Sequence, residues 1–193
     1  MKKLILILIL TLSFHSWTKA DDIRDFEIEG MSVGDSLLDY MSEEEIKNSP
    51  VYDHTNSGFT SKKMYQLRKL NSDMYTEIMF GLKSKDKNYI IYSIGGLIKY
   101  EFNISDCYNK KDEIQKEVKD LFPKAKISNS ETAHDSDKSG KSKVVSTYFD
   151  LGPGEWVSIQ CYDWTKEMKY WDNLRISIIS KQFGNWLNNE AYK

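Results

Sequence analysis

Histidine, cysteine and proline are scarce in this chain, with three, two and three among 193 residues. Histidine is the commonest base near neutral pH and the commonest metal ligand, so its rarity narrows the accessible chemistry. Neither His54 nor His134 stands in a His-Glu-x-x-His pattern, and no Gly-x-Ser-x-Gly elbow occurs. Gly140-Lys141-Ser142 matches the end of a phosphate-binding loop, but the glycine required five residues earlier is Asp135. Only one long apolar run exists, at the extreme N-terminus, which excludes a polytopic membrane protein. No sign of charge dominates either: 27 Lys and Arg face 29 Asp and Glu, a net of −2. That balance provides no electrostatic reason to seek nucleic acid or an anionic lipid surface. What the chain has in quantity is apolar and aromatic material, at 40% and 13%, enough for one ordinary core and too much for disorder.

The N-terminal run is an address. Lys2 and Lys3 precede a stretch of Leu and Ile, and Thr18 and Ala20 place small residues three positions and one position before Asp21. This is the layout of a secretory signal peptide cleaved after Ala20. The apolar segment from Leu4 to Phe14 is far shorter than the roughly 20 residues needed to cross a bilayer. The expected mature domain, residues 21–193, is therefore periplasmic or secreted, without stable membrane insertion. Cleavage removes Lys2, Lys3 and Lys19 and no acid, leaving 24 bases against 29 acids, a net of −5.

In an oxidising compartment the two remaining cysteines, Cys107 and Cys161, are expected to form a disulfide. Cys161 shares strand parity with Val157 and Ile159, which points it inward.

Further along, Ser42 and Glu45 have the spacing of a capping box, opening a short helix that ends before Pro50. Residues 51–63 read as a polar loop. Met64–Leu70 reads as a short strand, and Met74–Leu82 alternates with Ile78, Phe80 and Leu82 on one side. Tyr89–Ile94 resumes a strand, which Gly95-Gly96 is expected to interrupt as a bulge before Leu97–Phe102. Asp106 is placed to cap a helix over Tyr108–Phe122, where Ile114, Val118, Leu121 and Phe122 line one face and Pro123 stops it. Ser128–Lys143 reads as a polar loop. Strands follow at Val144–Leu151, Glu155–Trp164 and Asn173–Ser180, the first pair turned by Gly152-Pro153-Gly154. A terminal helix over Phe183–Asn189 closes the chain. The fold class is α+β, an antiparallel sheet with helices packed on one face, in an order compatible with two degenerate α-β-β-β units.

The segment Asp135-x-Asp137-x-Ser139-Gly140 reproduces the first half of a calcium loop. The bidentate acid that should close it is replaced by Ser146, and Lys138, Lys141 and Lys143 oppose a divalent cation. It reads as a hairpin loop, and no metal or other cofactor is implied. No pair of carboxylates is singled out by spacing for acid–base work on a glycoside. Asp53-His54 is the one candidate acid–imidazole pair, the basis of an alternative reading as a small extracytoplasmic hydrolase.

The aromatic residues are unevenly placed. Ten of the 25 lie from Tyr148 onward, with Trp156, Trp164, Trp171 and Trp186 among them. Trp156, Tyr162 and Trp164 have the parity opposite to Val157, Ile159 and Cys161, which sets a row of aromatics on the face away from the core. Such a row binds sugars by stacking or anchors a protein partner. Trp171 belongs to the same region, and Asp163, Asp172 and Asn173 lie close enough in sequence to supply directional hydrogen bonds. The leading expectation is a non-catalytic binding domain for a glycan or an envelope protein.

Gly30-Met31-Ser32-Val33-Gly34-Asp35, leading into Ser36-Leu37-Leu38, resembles the opening of small envelope lipoproteins of the outer-membrane assembly type. That resemblance implies a glycine-containing turn followed by helices packed on a small antiparallel sheet. The chain lacks the lipidated cysteine of those proteins. As a whole it resembles exported bacterial proteins of Lys-, Ile- and Asn-rich composition, and no functional residue is carried over from either resemblance.

Overall fold

A computed structural model of the chain describes residues 22–51, 64–70 and 74–193. The leader and its cleavage point, and the Asp53-His54 pair, lie outside the described residues. Among those residues, no helix is long and apolar enough to cross a membrane.

Seven antiparallel strands form one sheet: β1 (Met64–Leu70), β2 (Glu77–Lys83), β3 (Ile91–Lys99), β4 (Lys126–Ala133), β5 (Lys143–Gly152), β6 (Glu155–Asp163) and β7 (Asn173–Ile179). Their order is β1-β2-β3-β7-β6-β5-β4. Two meanders therefore meet where β3 pairs with β7, with Gly96 opposite Ile176. The helices are α1 (Glu43–Asn48), α2 (Ile104–Leu121) and α3 (Lys181–Asn189). The fold is α+β, as the alternation of the strands predicts.

That alternation gives the sheet two unlike faces. Ile78, Phe80 and Leu82 of β2, Leu174, Ile176 and Ile178 of β7, and Val157, Ile159 and Cys161 of β6 all point to one side and are buried. Over them lies α2, through Cys107, Ile114 and Val118, and beside it the N-terminal segment, through Ile28, Val33, Leu37 and Ile46. Each such side chain contributes about 1.5–3 kcal/mol by leaving water. The N-terminal segment is tied to the sheet by backbone bonds, Gly34 N–H to Ile91 O at 2.8 Å and Leu37 N–H to Tyr89 O at 3.0 Å. Cys107 of α2 is bonded to Cys161 of β6, fastening the helix to the centre of the sheet. The capping box forms as the spacing predicts: Glu45 N–H donates to Ser42 Oγ and Ser42 N–H to the Glu45 carboxylate.

Four local expectations are corrected. The helices do not all share one face, because α3 lies on the opposite side of the sheet from α2. There Phe183 and Trp186 pack with Met64 and Ile179, and Trp156 borders the same cluster. Gly95-Gly96 does not interrupt β3. Gly96 stands where the ring of Tyr75 crosses the strand and a Cβ would collide with it, whereas the register shift of this pair of strands falls at Gly81/Leu82. Helix α2 begins a turn earlier than expected, at Ile104, with Asn103 as N-cap and Asn103 Nδ2 donating to Asp106 Oδ2 at 2.6 Å. Finally, part of the stretch read as a polar loop is β4. Seven of its eight residues are exposed, since it is an edge strand that meets the core only through Ile127, and no alternation marks it.

Candidate functional site

The face opposite α2 is only half covered. Helix α3 closes the part near Met64, Gly81, Ser93 and Ile179, where Phe183 lies within contact of a Cβ built on Gly81. The other half, toward Arg68, Leu97, Lys99 and Arg175, is open. It forms a cleft of about 610 Å³, walled by the chain that follows β6 and by the β4–β5 loop. This lies within the range of about 300–1,000 Å³ common for small-molecule sites.

The cleft is built on aromatic rings. Tyr162 ends the open face of β6, and Trp164 follows it with nearly parallel rings, their centroids 6.3 Å apart and their planes at 18°. His134 packs against Trp164 at 4.3 Å, and Tyr170 packs against it at 4.8 Å. Trp164 is therefore buried and acts as the keystone of the cluster, while Tyr170 and Trp171 stay exposed at 55% and 47%. The expected row divides in two. Trp156 stands at the far end of β6, against Gly184 of α3, and belongs to the packing of that helix. Between it and Tyr162, Gln160 Nε2 donates to Ser146 Oγ at 3.0 Å and Tyr148 Oη at 3.2 Å.

The two acidic residues expected to hydrogen-bond a ligand do not line the cleft. Asp172 is buried, and its Oδ1 accepts the Trp164 backbone N–H at 2.8 Å. Burial pushes its carboxyl pKa up. It is a positioning residue, holding the backbone turn that presents Trp164. Asp163 has the parity of Cys161 and faces the α2 side of the sheet, opposite Lys143 of β5. Asn173 acts locally: its Nδ2 donates to Trp171 O at 2.9 Å and its Oδ1 accepts from Arg175 Nε at 3.2 Å.

The half-pattern of a calcium loop proves to be a self-contained hydrogen-bonded turn. Asp137 accepts from Ser139 N–H at 2.9 Å, from Ser142 N–H at 2.9 Å and from Ser142 Oγ at 2.7 Å. These donors, chiefly the Ser142 side chain, hold its carboxyl far below the usual carboxylate range. Thr165 N–H donates to Ser142 Oγ at 3.1 Å, so the loop is bound to the segment after β6. That linkage carries His134 to Trp164. His134 Nδ1 accepts Ser136 N–H at 3.1 Å, which places the ring proton on Nε2. Burial first and the Arg175 charge second lower its pKa, so the ring is neutral at pH 7. Among the described residues no group of three or more His, Cys, Asp or Glu is arranged to hold a metal ion.

Basic side chains complete the site and were not singled out from the sequence. Among the described residues Arg68, Lys99, Lys169 and Arg175 line the cleft, and no Asp or Glu does. The Arg175 guanidinium lies 4.3 Å over the Tyr162 ring, and the Lys99 ammonium 4.9 Å over Trp171. Arg68 pairs with Glu77 of β2 at 3.3 Å. One signal for Arg175 was present in the sequence: in β7 it occupies the parity opposite to Leu174, Ile176 and Ile178, hence the open face.

Comparison with known proteins gives no match to any family model, curated protein or solved structure.

Proposed function

We propose that this chain is an exported, non-catalytic binding domain that holds a glycan in the aromatic cleft of its half-covered sheet face. The observation that carries this reading is the convergence of Trp164, Tyr170 and Trp171 on one cleft of about 610 Å³, with Tyr162 stacked beside Trp164. Rings at such a site supply large apolar area at little entropic loss, and sugars stack on them through their C–H faces. Export follows from the leader, with cleavage after Ala20 delivering the domain to the periplasm or beyond. The buried Cys107–Cys161 disulfide is compatible with that compartment.

The test is retention of defined oligosaccharides on a glycan array by the mature protein, beside the Tyr170→Ala/Trp171→Ala variant. Both positions are exposed, so the variant leaves the core intact. The reading expects glycans retained by the wild type and lost from the variant. Equal retention by both, or none by either, refutes it. Capture of an envelope protein without any glycan would assign the same face to a protein partner.

A further inference from the structure

We infer that the ligand of this cleft is an acidic glycan, bound through its carboxylate or sulfate groups by Arg175, Lys99 and Lys169 rather than by ring stacking alone. The inference rests on the proposed glycan-binding role and names the class of sugar.

The first argument is the segregation of charge. The chain as a whole is slightly acidic, with 29 acids to 27 bases, yet among the described residues four bases and no acid line the cleft. Three nearby carboxylates are turned elsewhere: Asp172 to the Trp164 backbone, Asp137 into its own loop, and Asp163 to the far face of the sheet. Glu77, on this face, is engaged with Arg68. Among the described residues, none of Lys99, Lys169 and Arg175 forms an ion pair with a carboxylate.

The second argument comes from the rings. A neutral sugar needs a bare aromatic face, but Arg175 lies on Tyr162 and Lys99 on Trp171. These cations are held by the rings and are what the cleft presents. Arg175 Nε is committed to Asn173 Oδ1, which orients the guanidinium and leaves its two Nη groups for a ligand. A planar carboxylate or a sulfate ester matches that fork, and such charge-assisted bonds are roughly twice as strong as neutral ones. Lys169, in a left-handed conformation at φ +57°, ends the turn beside Tyr170 and brings a third cation to the rim.

Calorimetric titration of the mature protein tests this with three probes of equal length: an oligogalacturonate, a heparin-derived oligosaccharide and a neutral cello-oligosaccharide. The expected result is an acidic probe bound at least about tenfold more tightly than the neutral one, weakening between about 50 and about 500 mM NaCl. Whichever acidic probe binds better separates carboxylate from sulfate. Arg175→Gln and Lys99→Gln should each weaken that binding about tenfold or more. Lys169→Gln, at an exposed turn, serves as a variant that does not disturb the sheet. Equal affinity for neutral and acidic probes would overturn this inference while leaving the glycan-binding role standing. Binding of none of the three would overturn both. Tighter binding of a single-stranded oligonucleotide than of either acidic sugar would show that the class of ligand is wrong.

Discussion

Reducing the Cys107–Cys161 bond should remove about 4 kcal/mol of stability. The two residues are 54 apart in sequence. In the chain-entropy model, closing a loop of that length lowers the entropy of the unfolded chain by about 14 cal/mol/K, or about 4 kcal/mol at 25 °C. Both side chains are fully buried, and they join α2 to β6 near the end of that strand, so the native state keeps its packing while the unfolded ensemble expands. The assay is urea unfolding of oxidised and reduced protein side by side. With a urea slope near 2 kcal/mol/M, the midpoint should fall by about 2 M, and the slope should rise as the expanded unfolded chain exposes more surface. The melting temperature should fall by about 8–16 °C. A loss below about 1 kcal/mol would refute the loop-closure reasoning and show that the unfolded chain is already held compact without the bond.

Three further outcomes follow from the packing. Lys111 is buried, and its ammonium donates to Thr147 Oγ1 at 2.7 Å and Gln115 Oε1 at 3.3 Å without a carboxylate partner. Burial lowers its pKa from 10.5, so the unfolded chain binds more protons between the lowered native value and 10.5. Stability from denaturant titrations should therefore rise with pH through that window, and Lys111→Met should lose this rise; an identical slope in the variant would contradict the assignment. Gly96→Ala forces a Cβ into the Tyr75 ring and should destabilise by about 1–3 kcal/mol in urea midpoints, whereas a neutral result would mean that the ring moves freely. Asp137→Asn removes the charged acceptor of the β4–β5 loop, so hydrogen exchange at the Ser139 and Ser142 amides should accelerate and ligand affinity fall with it. Unchanged exchange would show that the loop is held by other contacts.

The half of the sheet facing α2 was legible because its residues alternate cleanly. Ile78, Phe80 and Leu82, or Val157, Ile159 and Cys161, declare one buried side, and the same parity placed Cys161 toward Cys107. The capping box at Ser42 and Glu45 was legible for a similar reason, being a local pattern with a fixed spacing. Strand β4 carried no such pattern, because an edge strand that meets the core only through Ile127 is under no pressure to alternate. The aromatic face was seen in outline, but parity along β6 cannot tell that α3 crosses over Trp156 and not over Tyr162. The basic lining was not legible because Arg68, Lys99, Lys169 and Arg175 come from four separate segments and meet only when the sheet lays β1, β2, β3 and β7 in that order.

The four tryptophans of residues 22–193 provide the most direct test of where a ligand sits. Trp164 and Trp171 belong to the cleft, whereas Trp156 and Trp186 pack around α3 on the covered half of the same face. Their indole N–H signals can be followed separately by NMR while an oligogalacturonate is added to the isotope-labelled protein. The account predicts that the Trp164 and Trp171 signals shift in a saturable manner and that those of Trp156 and Trp186 stay in place. Shifts confined to Trp156 and Trp186, or no shift in any indole, would contradict it.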